Sequence, residues 1–262
     1  MNVKYKNPPI NELIIGAYFD EPIAPLRSEH VGLFWSEIRT DFPKIHQQPE
    51  LAFPIVGALA FQIGFTDEPY PMPRFWLVSE DETILLQIQK NALLLNWRKR
   101  DSDYPHFENV KLSFDKYLDI YSQFLRRELA LDLPNIQIAE LTYSNLVEST
   151  EYWRDVSDTG RLIPAISIPD PGVPIEGKPD FNYLTAYKLA SDLSLNVAVR
   201  SGRKATEAGK AVLVFELRAL GALGAASKRD ADAWYGRAHE AIGRCFTSMT
   251  NPDIQQRYWQ PV

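Results

Sequence analysis

The stretch "RFWLVSEDETILLQIQKNALLLNWRK", Arg74 to Lys99, decides how the rest of the chain is read. Three apolar runs, "RFWLVS", "TILLQIQ" and "ALLLNWRK", are separated by the short polar turns "EDE" and "KN", which predicts a three-stranded antiparallel meander. Side chains alternate along a strand, so Leu93, Leu95 and Trp97 share one face of the third run while Leu94, Asn96 and Arg98 share the other. The first set suits packing against a helix. The second leaves Asn96 and Arg98 on a free face beside Gln87 or Gln89, as candidate ligand- or partner-binding residues.

A helix follows the meander. In "ENVKLSFDKYLDIYSQFLRRELAL" the residues Phe114, Tyr117, Leu118, Tyr121, Phe124 and Leu125 form one apolar stripe at helical periodicity. Upstream, "ELIIGAYF" reads as a strand over residues 12–19. Val31, Phe34, Trp35 and Ile38 then mark a helix with Ser28 as its N-cap and Pro43 just beyond its end. Residues 43–73 are rich in proline and carry no periodicity that assigns them.

The second half repeats this order. "NIQIAELTYSNLV" is a leading strand and "STEYWRDVS" a short helix. "FNYLTAYKLA", "SLNVAVRSGRK" and "AVLVFELRAL" form a second meander, and "SKRDADAWYGRAHEAIGRCFTSMT" is the closing helix. Ser227 and Asp230 make a capping box there, with Trp234, Ala238, Ile242, Cys245 and Met249 on one face. The expectation is an α+β fold of two pseudo-repeated β-α-β-β-β-α halves, with antiparallel sheets each backed by long helices. The halves span residues 1–132 and 133–262, as two units or one continuous domain. The seam falls near Leu131–Pro134, and "IPAISIPDPGVPIEGKPD", 163–180, is a long loop in the second half.

Composition limits the chemistry. An apolar fraction of 45% supports a full core, and a net charge of −6 argues against a surface built to neutralise many phosphates. The single cysteine, Cys245, precludes an internal disulfide and points to a reducing, cytoplasmic setting. The apolar run "LIIGA" is shorter than the roughly seven to fifteen residues of a signal-peptide core, and no run approaches the ~18 apolar residues of a membrane span.

Catalytic signatures are missing from the sequence. "GRKATEAGKA", 202–211, has its glycines too far apart for a phosphate loop and Ala211 where a hydroxyl is needed, so it reads as a strand-turn-strand connection. "GALG", 221–224, is too short for a dinucleotide fingerprint. His30, His46, His106 and His239 form no i, i+4 pair, so neither metal nor cofactor is expected. No G-x-S-x-G elbow occurs, Cys245 lies on an apolar helix face, and Glu80-Asp81-Glu82 are turn residues. If the chain were an enzyme, His239 and Glu12 would be the candidates.

Three motifs add a resemblance. The opening "YKNPPINE", the central "QIQKNALLLNWRK" followed by "YPHF", and the closing "AHEAIGRCF" before "YW" resemble a sporadically distributed prokaryotic family of uncharacterised proteins close to this chain in length. The match spans Tyr5 to Trp259. It carries over Asn7, Pro8, Pro9 and Glu12, then Asn96, Trp97, Arg98, Tyr104 and Pro105, then His239, Ile242, Phe246 and Trp259. At "LTYSN" the chain departs from the pattern, with Thr142 where similar proteins have Arg, which removes one charge from any shared polar site. The resemblance supports the architecture and supplies no reaction. Its patchy distribution implies an accessory role such as antiphage defence or a toxin-antitoxin-like pairing.

The functional expectation is a non-catalytic cytoplasmic binding protein that meets another protein or itself through a helix-backed sheet. It rests on the 12% aromatic content, more than one core must bury. The alternative is a small-ligand or nucleotide sensor on the polar sheet face, with Asn96, Arg98, Arg200 and Arg203 as contacts. Nucleic-acid binding through "NWRKR" and "RSGRK" is the third reading, and no membrane partner is expected.

Overall fold

The computed structural model describes residues 4–57, 71–169, 172–173, 176–204 and 209–262. Its strands are β1 (Ile10–Phe19), β2 (Lys44–Gln48), β3 (Arg74–Val78), β4 (Ile84–Gln89), β5 (Ala92–Arg98), β6 (Ile136–Glu148), β7 (Asn182–Ala190), β8 (Leu193–Arg203) and β9 (Ala211–Ala226). They join into one nine-stranded sheet in the order β2-β3-β4-β5-β1-β6-β9-β8-β7. Every neighbouring pair is antiparallel. The fold is therefore α+β, as the meanders predict, but with a single sheet in place of two. The joint is β1 against β6, with Leu13 opposite Tyr143 and Ala17 opposite Ala139. Pairing these two strands removes two open edges that separate sheets would have had to cover.

Three helices cover one face. They are α1 (Ser28–Ile38), α2 (Phe107–Leu129) and α4 (Lys228–Met249), while α3 (Thr159–Leu162) and α5 (Pro252–Ile254) are short. All six residues of the predicted α2 stripe are buried. At about 1.5–3 kcal/mol for each large apolar side chain removed from water, that stripe rather than helix propensity holds α2 in place. Helix α2 packs on β5 and β1, and α4 on β6, β9 and β8. The two are tied together by Lys111 to Asp232 at 2.6 Å and Lys228 to Asp119 at 2.6 Å. The capping box read at Ser227 and Asp230 is present, with the Asp230 N–H donating to Ser227 Oγ. Gly221 on β9 lies under Trp234: a Cβ there would come within 2.3 Å of the indole, so α4 approaches this strand as closely as it does only because that residue has no side chain.

Two local expectations need correction, and one unassigned segment gains a place. The residue at the α1 N-cap is Arg27, not Ser28, and its N–H donates to His30 Nδ1. "STEYWRDVS" does not form a helix. Thr150 N–H bonds the Trp153 carbonyl and the Trp153 N–H bonds Thr150 Oγ1, a local loop that competes with helical hydrogen bonds, and helical geometry begins only at Val156. Residues 43–73, unassigned from sequence, contribute edge strand β2 between Pro43 and Pro49. The same region supplies residues 49–57, whose Leu51, Phe53 and Val56 pack on Tyr18, Ala92, Leu94, Ile138 and Leu220. The face opposite the helices is thus not bare. Residues 58–70 of that region, and 205–208 of the "GRKATEAGKA" connection, lie outside the described residues.

Candidate functional site

The expected polar patch exists on the sheet face opposite the helices, and most of its polar groups are spent on one another, although Arg74 Nε and Asn196 Oδ1 are buried without a partner among the described residues. Arg74 Nη1 and Trp76 Nε1 both donate to Gln87 Oε1, at 2.7 and 3.1 Å. Gln87 Nε2 donates to Asn96 Oδ1 at 2.7 Å, and Asn96 Nδ2 donates to Glu12 Oε1 at 2.8 Å. A chain of amides thus runs across β3, β4, β5 and β1, from a guanidinium to a carboxylate. Gln89 is fully buried and clamps the backbone of Leu51, accepting its N–H at 3.0 Å and donating to its carbonyl at 3.2 Å.

A second cluster lies on β6 and β9 of the same face. Glu140, 4% exposed, accepts from Tyr18 OH, Thr142 Oγ1, Arg218 Nε and Arg218 Nη2 at 3.0, 2.9, 3.0 and 2.7 Å. Four donors on one buried carboxylate satisfy it fully, so the ion pair is a closed structural unit. Thr142 stands in register with Arg218, whose guanidinium supplies positive charge from the neighbouring strand.

The four residues expected to form a site are not brought together. Asn96 is buried in the amide chain, and Arg98 sits at the rim with its Nε donating to the Glu82 carbonyl at 3.1 Å. Arg200 and Arg203 are on β8, and β1, β6 and β9 intervene between β8 and β5, about 19 Å at the usual strand spacing. Alternation puts Arg200 on the face that carries Arg98 and Arg203 on the opposite one. His239 and Glu12 are also on opposite faces. Glu12 belongs to the amide chain, whereas His239 is on α4.

The helix side holds an open cleft. It encloses about 700 Å³ including the space open to solvent, at the junction of the N-terminal segment, the start of α2, β6 and α4. Its walls include Pro8, Phe107, Leu217, Ile242 and Phe246, and its polar groups include Tyr104, Tyr143, Asn145 and His239. Local structure explains how they converge. An irregularity in β1 between Ile10 and Glu12 keeps Ile10 on the cleft side while Glu12 points away. Helix α4 aligns His239, Ile242 and Phe246 one turn apart. His106 turns the chain into α2 with φ +69° and ψ +155°, a region that residues other than glycine adopt at a strain of about 1–3 kcal/mol.

Within the cleft the polar groups form a chain. Tyr104 OH and Tyr143 OH are 3.1 Å apart, and Tyr143 OH lies 2.9 Å from His239 Nδ1. The imidazole stacks on Phe107 with centroids 4.2 Å apart, and Tyr104 packs edge-on against the buried Trp97 at 5.3 Å. Burial pushes both phenols up and the imidazole down, so all three groups are uncharged at neutral pH. Lys4 and Glu108 form an exposed ion pair at the rim, 3.6 Å apart. Asn145 donates to the Phe215 carbonyl at 2.9 Å, which anchors its amide in the floor. Cys245 stays outside the cleft lining, its thiol pushed up by burial.

The sequence names Tyr104 only among the motif residues and does not single out Tyr143 or Asn145. The signal available was their alternation in "LTYSN": Leu141, Tyr143 and Asn145 share the helix-facing side of a strand, where a phenol and an amide need partners. No group of three or more His, Cys, Asp or Glu residues placed to hold a metal ion occurs among the described residues, and none of their helices is long and apolar enough to cross a membrane. A scan against protein-family models matches none, and a search of curated proteins finds no match.

Proposed function

We propose that this is a non-catalytic binding protein that takes a small, largely apolar molecule into the helix-side cleft. The observation that carries the reading is convergence: residues from all three motifs, Pro8, Tyr104, His239, Ile242 and Phe246, line one concave space. Apolar walls with a few fixed polar groups are the usual composition of a ligand site. The polar sheet face supports this role less well, because most of its amides and charges already bond to one another, with Arg74 Nε and Asn196 Oδ1 as the exceptions among the described residues. Phenols and an imidazole all held uncharged suit hydrogen bonding to a bound molecule better than proton exchange near neutral pH. The pseudo-repeat of the two halves belongs to the same reading. It is supported by the strand order, in which β5-β4-β3 follow β1 on one side and β9-β8-β7 follow β6 on the other. The family membership and the accessory or antiphage setting rest on the resemblance alone.

The test is recovery of the ligand. Protein purified from its own host and then denatured is expected to release a small molecule near one per chain, detected by mass spectrometry. Ile242→Trp, which fills the cleft, and Tyr143→Phe, which breaks the polar chain, are expected to release much less. No released molecule, or equal release from folded variants, would contradict the reading.

A further inference from the structure

Strand β7 ends the sheet, and its outer edge is built differently from the edge at β2. Strand β2 has five residues and is flanked by Pro43 and Pro49, which limits further pairing. Strand β7 has nine residues without proline and, among the described residues, pairs with β8 alone. It exposes large apolar side chains on both faces: Leu184 at 40%, Tyr187 at 43% and Leu189 at 48%. Its one charged residue is Lys188. Long, exposed, apolar edge strands are templates for another strand, and soluble proteins usually blunt or cover them.

The backbone fixes which groups are on offer. Ser201 N–H donates to the Phe181 carbonyl at 3.1 Å, so at Phe181 the backbone groups point toward β8. By alternation those of Tyr183, Thr185 and Tyr187 do the same, and those of Asn182, Leu184, Ala186 and Lys188 point outward.

We propose that the protein self-associates edge to edge through β7, with a two-fold axis at Ala186 joining the sheets of two copies. The sequence of β7 is complementary to itself in that register. Leu184 stands opposite Lys188 of the second copy and Thr185 opposite its Tyr187, so the only charge on the strand meets no like charge. The aliphatic stem of the lysine lies along the leucine, and the aromatic-with-β-branched pair is a favourable cross-strand combination. A closed two-fold dimer also consumes both open edges, which a head-to-tail arrangement does not.

The experiment is light scattering coupled to size exclusion, across a dilution series of the full chain. The wild type is expected to be a dimer that dissociates on dilution. Ala186→Pro removes an outward N–H without touching the β7–β8 ladder and is expected to give monomer with unchanged circular dichroism. Leu184→Lys places like charges opposite one another twice per dimer and is expected to weaken association about tenfold, while Leu184→Glu pairs with the second copy's lysine and retains or tightens it. A wild-type monomer at high concentration would overturn the proposal. So would a dimer that Leu184→Lys and Leu184→Glu affect alike, or one that a folded Ala186→Pro variant still forms.

Discussion

The two faces of the sheet hold buried polar groups in opposite ways. On the face away from the helices, Glu140 accepts four hydrogen bonds and Gln87, Asn96 and Glu12 run in an unbroken chain. On the helix side, Tyr104, Tyr143 and His239 are linked to one another along the wall of an open cleft. The first arrangement joins strands, and the second leaves a shaped space. Density of polar side chains therefore does not mark a binding site here. Unfilled volume beside fixed polar groups does.

That contrast is open to breaking, beginning with its largest consequence. Arg218→Met strands the buried Glu140 carboxylate with two of its four donors, and because that leaves an uncompensated buried charge, unfolding in urea should show a loss of about 3 kcal/mol. The amount of small molecule recovered per folded chain should not change, since Arg218 is on the other face. A parallel loss of ligand would mean that the faces do not act separately.

Tyr143→Phe inverts the pattern. It removes one hydroxyl between Tyr104 and His239, so stability should fall by only about 1–2 kcal/mol while ligand recovery drops severalfold. A variant that keeps its ligand would reduce the tyrosine chain to the same structural role as the amide chain opposite.

The smallest effect is a pH dependence. Burial lowers the His239 pKa in the folded protein below its unfolded value near 6.5. Below that value the unfolded chain binds more protons, so stability is constant above about pH 6.5 and declines as pH falls toward the folded pKa. Carboxylates held low by their partners, such as Asp81 by Ser79 and Glu148 by Lys204 and Lys210, act in a lower window, beginning near the unfolded carboxylate value of about 4.3. Urea midpoints between pH 7.5 and 5 should therefore fall for the wild type and stay flatter for His239→Asn. Equal slopes would show that the imidazole is not held neutral by its surroundings.

How much of this was legible in the sequence depends on range. The meander from Arg74 to Arg98 is readable because alternation and turn residues are local signals; they place Asn96 on the face of Gln87 or Gln89, and the structure joins it to Gln87. Helix α4 was readable from its capping box and stripe. Asn96 and Arg98 share a face as expected, yet what that face does was not readable, because Arg74, Glu12 and residues 49–57 reach it from elsewhere in the chain. Residues 49–57 carry no periodicity, and their Leu51, Phe53 and Val56 lie across the sheet rather than forming a layer of their own.

By itself the sequence determined the α+β class, the two meanders, the long amphipathic helices and the absence of the common catalytic motifs, since each follows from residue types at short spacing. Only the tertiary structure decided that the strands form one sheet and that most polar groups of the face away from the helices bond to one another. It also decided that Pro8, Tyr104, Tyr143 and His239 surround a common space. Those outcomes depend on which distant strands pair and which side chains fill the gaps between them, and neither is encoded in the local periodicity of the chain.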